Sequence, residues 1–243
     1  MAPADRGARR RLITALQWTD SAFPAGLYTL SHGLEGLVQD GVADAATLPT
    51  VVAGLLREAV GPVDATATFA AFAAADRGDL DGPEGLVAVD LLVSAARPGA
   101  GARRASARVG AQLLTMAAEL DVGADGADGG VLAGYRARVA AGAAPGHQAP
   151  AMAVIQRALG LGAAECAAAE LAGWVNGVAG AALRLRLVDH VGAQRLIAAM
   201  APVIEEVLDA AAERGIADIG AAAPIADIAA ARHETAPARL FLS

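Results

Sequence analysis

The sequence contains no lysine: all 19 of its basic side chains are Arg. A phosphate-gripping loop of the P-loop type needs a Lys after its glycines to reach the terminal phosphates, so that chemistry is excluded. Schiff-base catalysis through a lysine amine is excluded on the same ground. Cysteine is nearly absent too. Cys166 stands alone, which rules out an intrachain disulfide and a Cys-rich zinc site and fits a reducing compartment. Aromatic residues are few, with 4 Phe, 2 Trp and 2 Tyr. The longest uncharged apolar run toward the C-terminal half, Leu171 to Leu183, falls short of the roughly 18 residues that a membrane crossing requires. The apolar stretch behind Arg9-Arg10-Arg11 contains Thr14 and Gln17 and stops at Asp20, so no signal peptide is expected. These absences lead to the expectation of a soluble cytoplasmic protein with no membrane partner.

Alanine, by contrast, occupies 66 of the 243 positions. It is the best helix former and has no side-chain entropy to lose. A hydrophobic content of 55% built on Ala therefore predicts closely packed helices and not sheets of β-branched and aromatic residues. Acidic side chains number 26, giving a net charge of -7. That balance, with dispersed arginines, weighs against nucleic acid as a partner. Arg103, Arg104 and Arg108 sit at helical spacing and read as a solvated helix face.

Along the chain, helices are expected from Arg9 to Trp18 and from Tyr28 to Gln39, separated by the Pro24–Gly26 break. Thr47 can cap the next one, which Gly61-Pro62 should end. Others are expected to about Asp76, from Pro83 at a first turn to Ala96, and over 101–120, 131–141, 148–159, 163–188 and 192–213. The fold class is all-α, a single-domain bundle of roughly nine or ten short helices over 1–214. The segment 215–243 reads as a mostly irregular tail with at most one short helical turn.

No self-contained catalytic constellation is visible. His32, His147, His190 and His233 include no pair at i and i+4, so the helical zinc-protease arrangement fails. Ser31 lacks the flanking glycines of a hydrolase elbow. Gly99-Ala100-Gly101 and Gly160-Leu161-Gly162 lack the third glycine of a dinucleotide fingerprint. Asp121, Asp125 and Asp128 fail as a calcium loop, because Leu132 stands where the bidentate Glu belongs. Cys166 reads as a small buried apolar group. The tail is the informative part. A C-terminus normally frays, yet this one ends in Leu240, Phe241 and Leu242, so it must dock on its own body or on a partner.

Three segments resemble the urease accessory protein UreF family. Asp20 to Glu35 is similar to its signature, with Pro24, Gly26, Tyr28, Ser31, Gly33, Leu34 and Glu35 in the matching places. A looser match covers Gly146-His147 through Gly160, then Ala182-Leu183-Arg184-Leu185 through Leu196. The tail resembles the family's terminal pattern through Arg232, His233, Glu234, Arg239, Leu240 and Phe241. Leu27 and Leu242 depart from it, Leu242 standing where the family usually has Arg.

The resemblance implies a non-catalytic protein of nickel-metallocentre maturation. It would form a homodimer and link a UreD/UreH-type partner to the GTPase UreG for nickel insertion into apo-urease. No cofactor would be bound stably, with nickel handled by the complex and GTP by the partner. Arg232, His233, Glu234, Arg239, Leu240 and Phe241 would serve the UreD-type contact, and the Pro24–Glu35 segment the dimer or the GTPase-facing surface. Two alternatives stand beside it: a diverged helical scaffold of another complex, and a small-ligand enzyme using His32, Glu35 and His147.

Overall fold

Alanine-rich stretches wind into helices along the whole chain, and no strand is present among the described residues, 5–124 and 129–241, of this computed structural model. In order the helices are α1 (Asp5–Thr19), α2 (Leu34–Gln39), α3 (Leu48–Leu55), α4 (Thr66–Asp76), α5 (Leu86–Ala95), α6 (Ala100–Glu119), α7 (Gly129–Ala140), α8 (Gln148–Ala158), α9 (Ala163–Arg184), α10 (His190–Ala212) and α11 (Pro224–Glu234). Asp125 and Asp128, and Leu242 and Ser243 of the tail, lie outside the described residues.

The interior divides into two clusters. Trp18, Phe23, Phe72, Val89, Leu113, Tyr135, Met152 and Ile155 belong to the first, held by α1 and α4 to α8. Leu34, Leu37, Leu48, Val52, Leu171, Val178, Leu196, Met200 and Phe241 belong to the second, held by α2, α3, α9, α10 and the tail. Alanines on α9 (Ala167, Ala179, Ala181, Ala182) are buried in these contacts, which lets neighbouring helices approach closely. By length and apolar composition α9 could cross a membrane. Here it is a core helix, packed against α1, α2, α4, α8 and α10.

Asp90 ties the first cluster together. Its carboxylate, buried on α5, accepts from Tyr135 Oη at 2.9 Å, Gly146 N at 2.6 Å and His147 N at 2.9 Å. Burial still pushes its pKa up against these three donors.

The structure departs from the sequence expectations at several points. Gly61-Pro62 does not end a helix: the chain from Leu56 to Ala65 continues as a π-helical stretch joining α3 to α4. The wider turn accommodates Pro62, which has no N–H to give and would clash in a regular α-helix. Thr47 makes no capping bond into α3. Asp44 does the local work instead, its Oδ1 accepting from Ala46 N and Thr47 N. Pro83 lies in the turn before α5, whose N-cap is Gly85.

The tail is the largest correction. Where at most one helical turn was expected, eleven residues form α11, opened by Pro224 at its first turn. Weak amphipathic periodicity hid this helix, because its inner face is mostly alanine and its contact with α2 needs no bulky stripe.

Candidate functional site

The residues singled out in the sequence fall in two segments about 200 positions apart, and the fold joins them. Between Pro24 and Glu35 the chain makes a short 3-10 turn, Leu27–Thr29, with Gly26 before it at φ 83. It then passes through His32 (φ 55) and Gly33 (φ 83) into α2. The continuous helix expected from Tyr28 is thus broken by two successive left-handed residues, a conformation glycine adopts without penalty and other residues rarely do. That break turns Glu35 inward.

Glu35 receives the tail. Its Oε2 lies 2.8 Å from His233 Nε2 on α11. Its Oε1 accepts the amide of Leu240 at 2.8 Å, and Oε2 that of Phe241 at 3.0 Å. Ser31, fully buried, accepts the amide of Glu35 itself at 3.4 Å. The carboxylate acts as a clasp. It satisfies backbone donors that a chain end would otherwise leave to water.

Around the clasp, Phe241 is only 3% exposed, buried in the second cluster. The Arg184 guanidinium at the end of α9 lies 4.2 Å from the ring centroids of both Phe241 and Tyr28. Its Nη1 also donates to Tyr28 O at 2.6 Å. A planar cation between two π faces holds the tail to the Tyr28 turn. Arg232 pairs with Asp40 at 3.0 Å. Glu234 reaches α6, where its Oε1 accepts Gly101 N at 2.6 Å. That helix start has no capping side chain of its own, so Glu234 supplies the missing acceptor and a negative charge at the N-terminus.

Of the residues expected to serve a partner, Ser31, Leu34, Glu35, His233 and Phe241 are buried in the chain's own body, whereas Tyr28, Arg232, Arg239 and Leu240 face out. Pro24 lies in the turn ahead of Gly26, exposed beside the buried Ala25. Arg103, Arg104 and Arg108 are more than a solvated face. Arg103 donates to Arg97 O at 2.5 Å and Pro98 O at 2.8 Å, Arg104 stands 3.8 Å from Glu234, and Arg108 donates to Thr29 Oγ1 at 3.2 Å.

Sequence reading missed Gly36. A Cβ there would lie 2.7 Å from Ala229 O and 3.1 Å from His233 Cβ, so this glycine permits the close approach of α2 and α11. Its signal was present, since a glycine inside a helical pattern marks such contacts. Arg184 appeared only as a matched residue of the looser segment, and nothing in one dimension places it against Phe241.

Two cavities, of about 240 and 270 Å3, share His32, Gln148, Glu170 and Trp174 in their walls. Burial, then Arg184, holds the His32 pKa down to about 4. Burial pushes Glu170 well up, and Thr68 Oγ1 donates to it at 2.7 Å. Neither lining includes Glu35 or His147, so His32, Glu35 and His147 do not converge as a catalytic set. Cys166 is buried, and desolvation, then Glu170, raises its thiol pKa well above the ordinary value. Among the described residues no group of three or more His, Cys, Asp or Glu could hold a metal ion.

Comparison with known proteins gives one family. Residues 42–201 match the UreF family model, a span that begins after Glu35 and ends before the tail. The relatives extend further. The chain is 30% identical to the urease accessory protein UreF of Photorhabdus laumondii over 232 residues, 95% of this chain and 97% of that protein. It is 33% identical to the protein of that name from Cereibacter sphaeroides (strain ATCC 17025) over 233 residues, 96% and 98% of the two chains. For the one from Paenarthrobacter aurescens the identity is 31% over 228 residues, 93% and 96%.

Proposed function

Because the chain belongs to the UreF family of urease accessory proteins, we propose that it works as an adaptor whose clasped tail is the contact surface for a UreD/UreH-type protein. The chain itself is an accessory protein of nickel-metallocentre maturation and not a catalyst. Through the UreD/UreH-type partner it recruits the GTPase UreG to apo-urease. It works in the cytoplasm as a homodimer and binds no cofactor stably. Nickel is cargo of the complex, and GTP belongs to the GTPase, in keeping with a sequence that has no lysine for a phosphate loop.

One observation carries this reading. Glu35 fixes the backbone at Leu240 and Phe241, and in doing so leaves Leu240 63% exposed. Ile225, Ile228 and Arg232 recur at helical spacing on the outer side of α11 and are exposed as well. An aliphatic stripe ending in arginines, held rigid by internal bonds, has its ordering entropy lost before a partner arrives. His233, Glu234 and Phe241 then act from inside, by positioning the surface.

The test is co-purification of the full chain with a UreD-type protein. Deleting Arg239 to Ser243 should abolish capture and leave the far-ultraviolet circular dichroism essentially unchanged. Introducing charge into the outer stripe, Ile228→Asp with Leu240→Asp, should do the same without releasing the tail. Capture at wild-type levels by either variant would remove the tail from the contact. Failure of the intact chain to bind any urease accessory protein would point to a scaffold of another complex.

A further inference from the structure

The linker between α10 and α11 is thinly held. Residues 219–223 form no regular element, and Ala221 and Ala222 face water. Ile219 buries its side chain in the first cluster. Beyond it two backbone bonds fix the chain. Gly220 N donates to Pro62 O at 3.4 Å, and Ala222 N donates to Glu58 O at 3.3 Å. Both acceptors lie on the π-helical stretch, four residues apart.

Pro62 makes that docking possible. A regular helix would give the Glu58 carbonyl to the N–H of residue 62, and proline has none. Its ring also crowds the carbonyl four residues back and tilts it out of the helix. The spacing fits as well. Four residues of helix advance about 6 Å. Ile219 is extended, and alternate amides of an extended chain stand about 6.6 Å apart on one side. Glu58 and Pro62 thus take Ala222 and Gly220 together, the linker running antiparallel to the stretch. Gly61 seats the same stretch against α10, because a Cβ there would lie 2.4 Å from Val207 Cγ1. Its own carbonyl is closed off by Thr66 Oγ1 at 3.2 Å.

We propose that Pro62 is a positioning residue for the tail. It turns the Glu58 carbonyl outward as a seat for the linker, and the seat sets the angle at which α11 departs. Pro224 opens α11 two residues after Ala222, and the exposed Ile225 and Ile228 follow at once. At the far end the Glu35 clasp holds His233, Leu240 and Phe241. Pinned at both ends, the helix keeps one orientation. Held by the clasp alone it pivots, and a partner must spend binding energy to restore the order. The inference rests on the tail contact proposed above and adds the group that fixes its near end.

Pro62→Ala tests this in the full chain. It gives residue 62 an N–H that competes for the Glu58 carbonyl. Alanine is the better helix former, so the melting temperature should hold. Exchange at the Gly220 and Ala222 amides should nonetheless quicken several-fold, and elastase should cut residues 219–223 faster. Capture of a UreD-type protein should weaken about fivefold, the fold-change of one hydrogen bond. Ala222→Pro removes the donor from the other side and should weaken capture alike. The double variant should be no weaker than either single one, since both remove the same bond.

Unchanged exchange at both amides in Pro62→Ala would show that Pro62 does not seat the linker. Quickened exchange with wild-type capture would show that the seat does not position the contact. Losses that add in the double variant would mean two separate effects. Each of these overturns the proposal. A wild-type chain that captures no UreD-type protein, with exchange still quickened in Pro62→Ala, would remove the tail contact and leave the seat standing.

Discussion

Glu35 Oε2 and His233 Nε2 lie 2.8 Å apart across 198 positions of chain. That contact joins the signature segment to the terminal segment. The same carboxylate holds two amides of the tail, so the order of Leu240 and Phe241 depends on one side chain near the start.

Replacing Glu35 should therefore release the tail. In Glu35→Gln one oxygen becomes an NH2 group facing a backbone N–H, and at least one buried donor loses its acceptor. The expected cost is about 1–3 kcal/mol. Hydrogen exchange at the Leu240 and Phe241 amides should accelerate while the α9 amides stay protected. Unchanged protection at those two amides would show that the clasp is incidental.

Two glycines next to this site should respond differently to alanine. At Gly36 the added methyl would meet Ala229 O at 2.7 Å, forcing α11 away from α2 at a cost of about 1–3 kcal/mol. At Gly33 there is open space, and only φ 83 opposes the substitution, worth about 1–2 kcal/mol. Similar melting losses are expected, but only Gly36→Ala should raise proteolysis of the tail. Equal tail cleavage in both would argue against the close approach as its cause.

Arg184 makes a third test. Lysine would keep its charge but not the flat contact with Tyr28 and Phe241, and one donor cannot reproduce the guanidinium geometry. Arg184→Lys should cost about 1 kcal/mol and weaken capture of the tail's partner. Wild-type capture with wild-type stability would reduce the stacking to a bystander.

Acidification acts through His147, as it does through His32; His147 is buried, with neither ring nitrogen partnered among the described residues. Burial, followed by Arg97 and Arg103, holds its pKa down to about 4. Unfolded, the ring titrates near 6.5. Between those values the unfolded chain takes up the proton and the native one does not. The contribution is thus complete above pH 6.5 and lost as pH falls toward 4. Asp90 and Glu170, whose values burial raises, act in the opposite sense. His147→Leu isolates the histidine. Its stability relative to wild type should improve by about 2 kcal/mol between pH 7 and pH 5, read from urea midpoints. A difference independent of pH would mean that the His147 ring titrates alike in the folded and unfolded chain.

Much of the architecture was legible without coordinates. Helix-forming alanine and apolar residues at three- and four-residue steps predict α4, α6, α8, α9 and α10 close to where they stand, because those signals are local. Burial of Cys166 was legible for the same reason. Other readings failed where a neighbour outvoted the local signal. Pro62 reads as a stop, yet the helix continues because a wider turn absorbs it. The inner face of α11 is too small-sided to show a stripe, and only its fit against Gly36 reveals that it packs.

Composition and periodicity alone therefore determined that this protein is all-helical and raised the expectation that Phe241 is covered. Both follow from the propensity of alanine and from the cost of exposing Leu and Phe to water. Only the tertiary structure decided that Phe241 is covered by its own chain, with Leu240, Ile13 and Leu16 left exposed. Those outcomes depend on which groups meet across nearly two hundred residues, and such distances are set by packing, which no local pattern encodes.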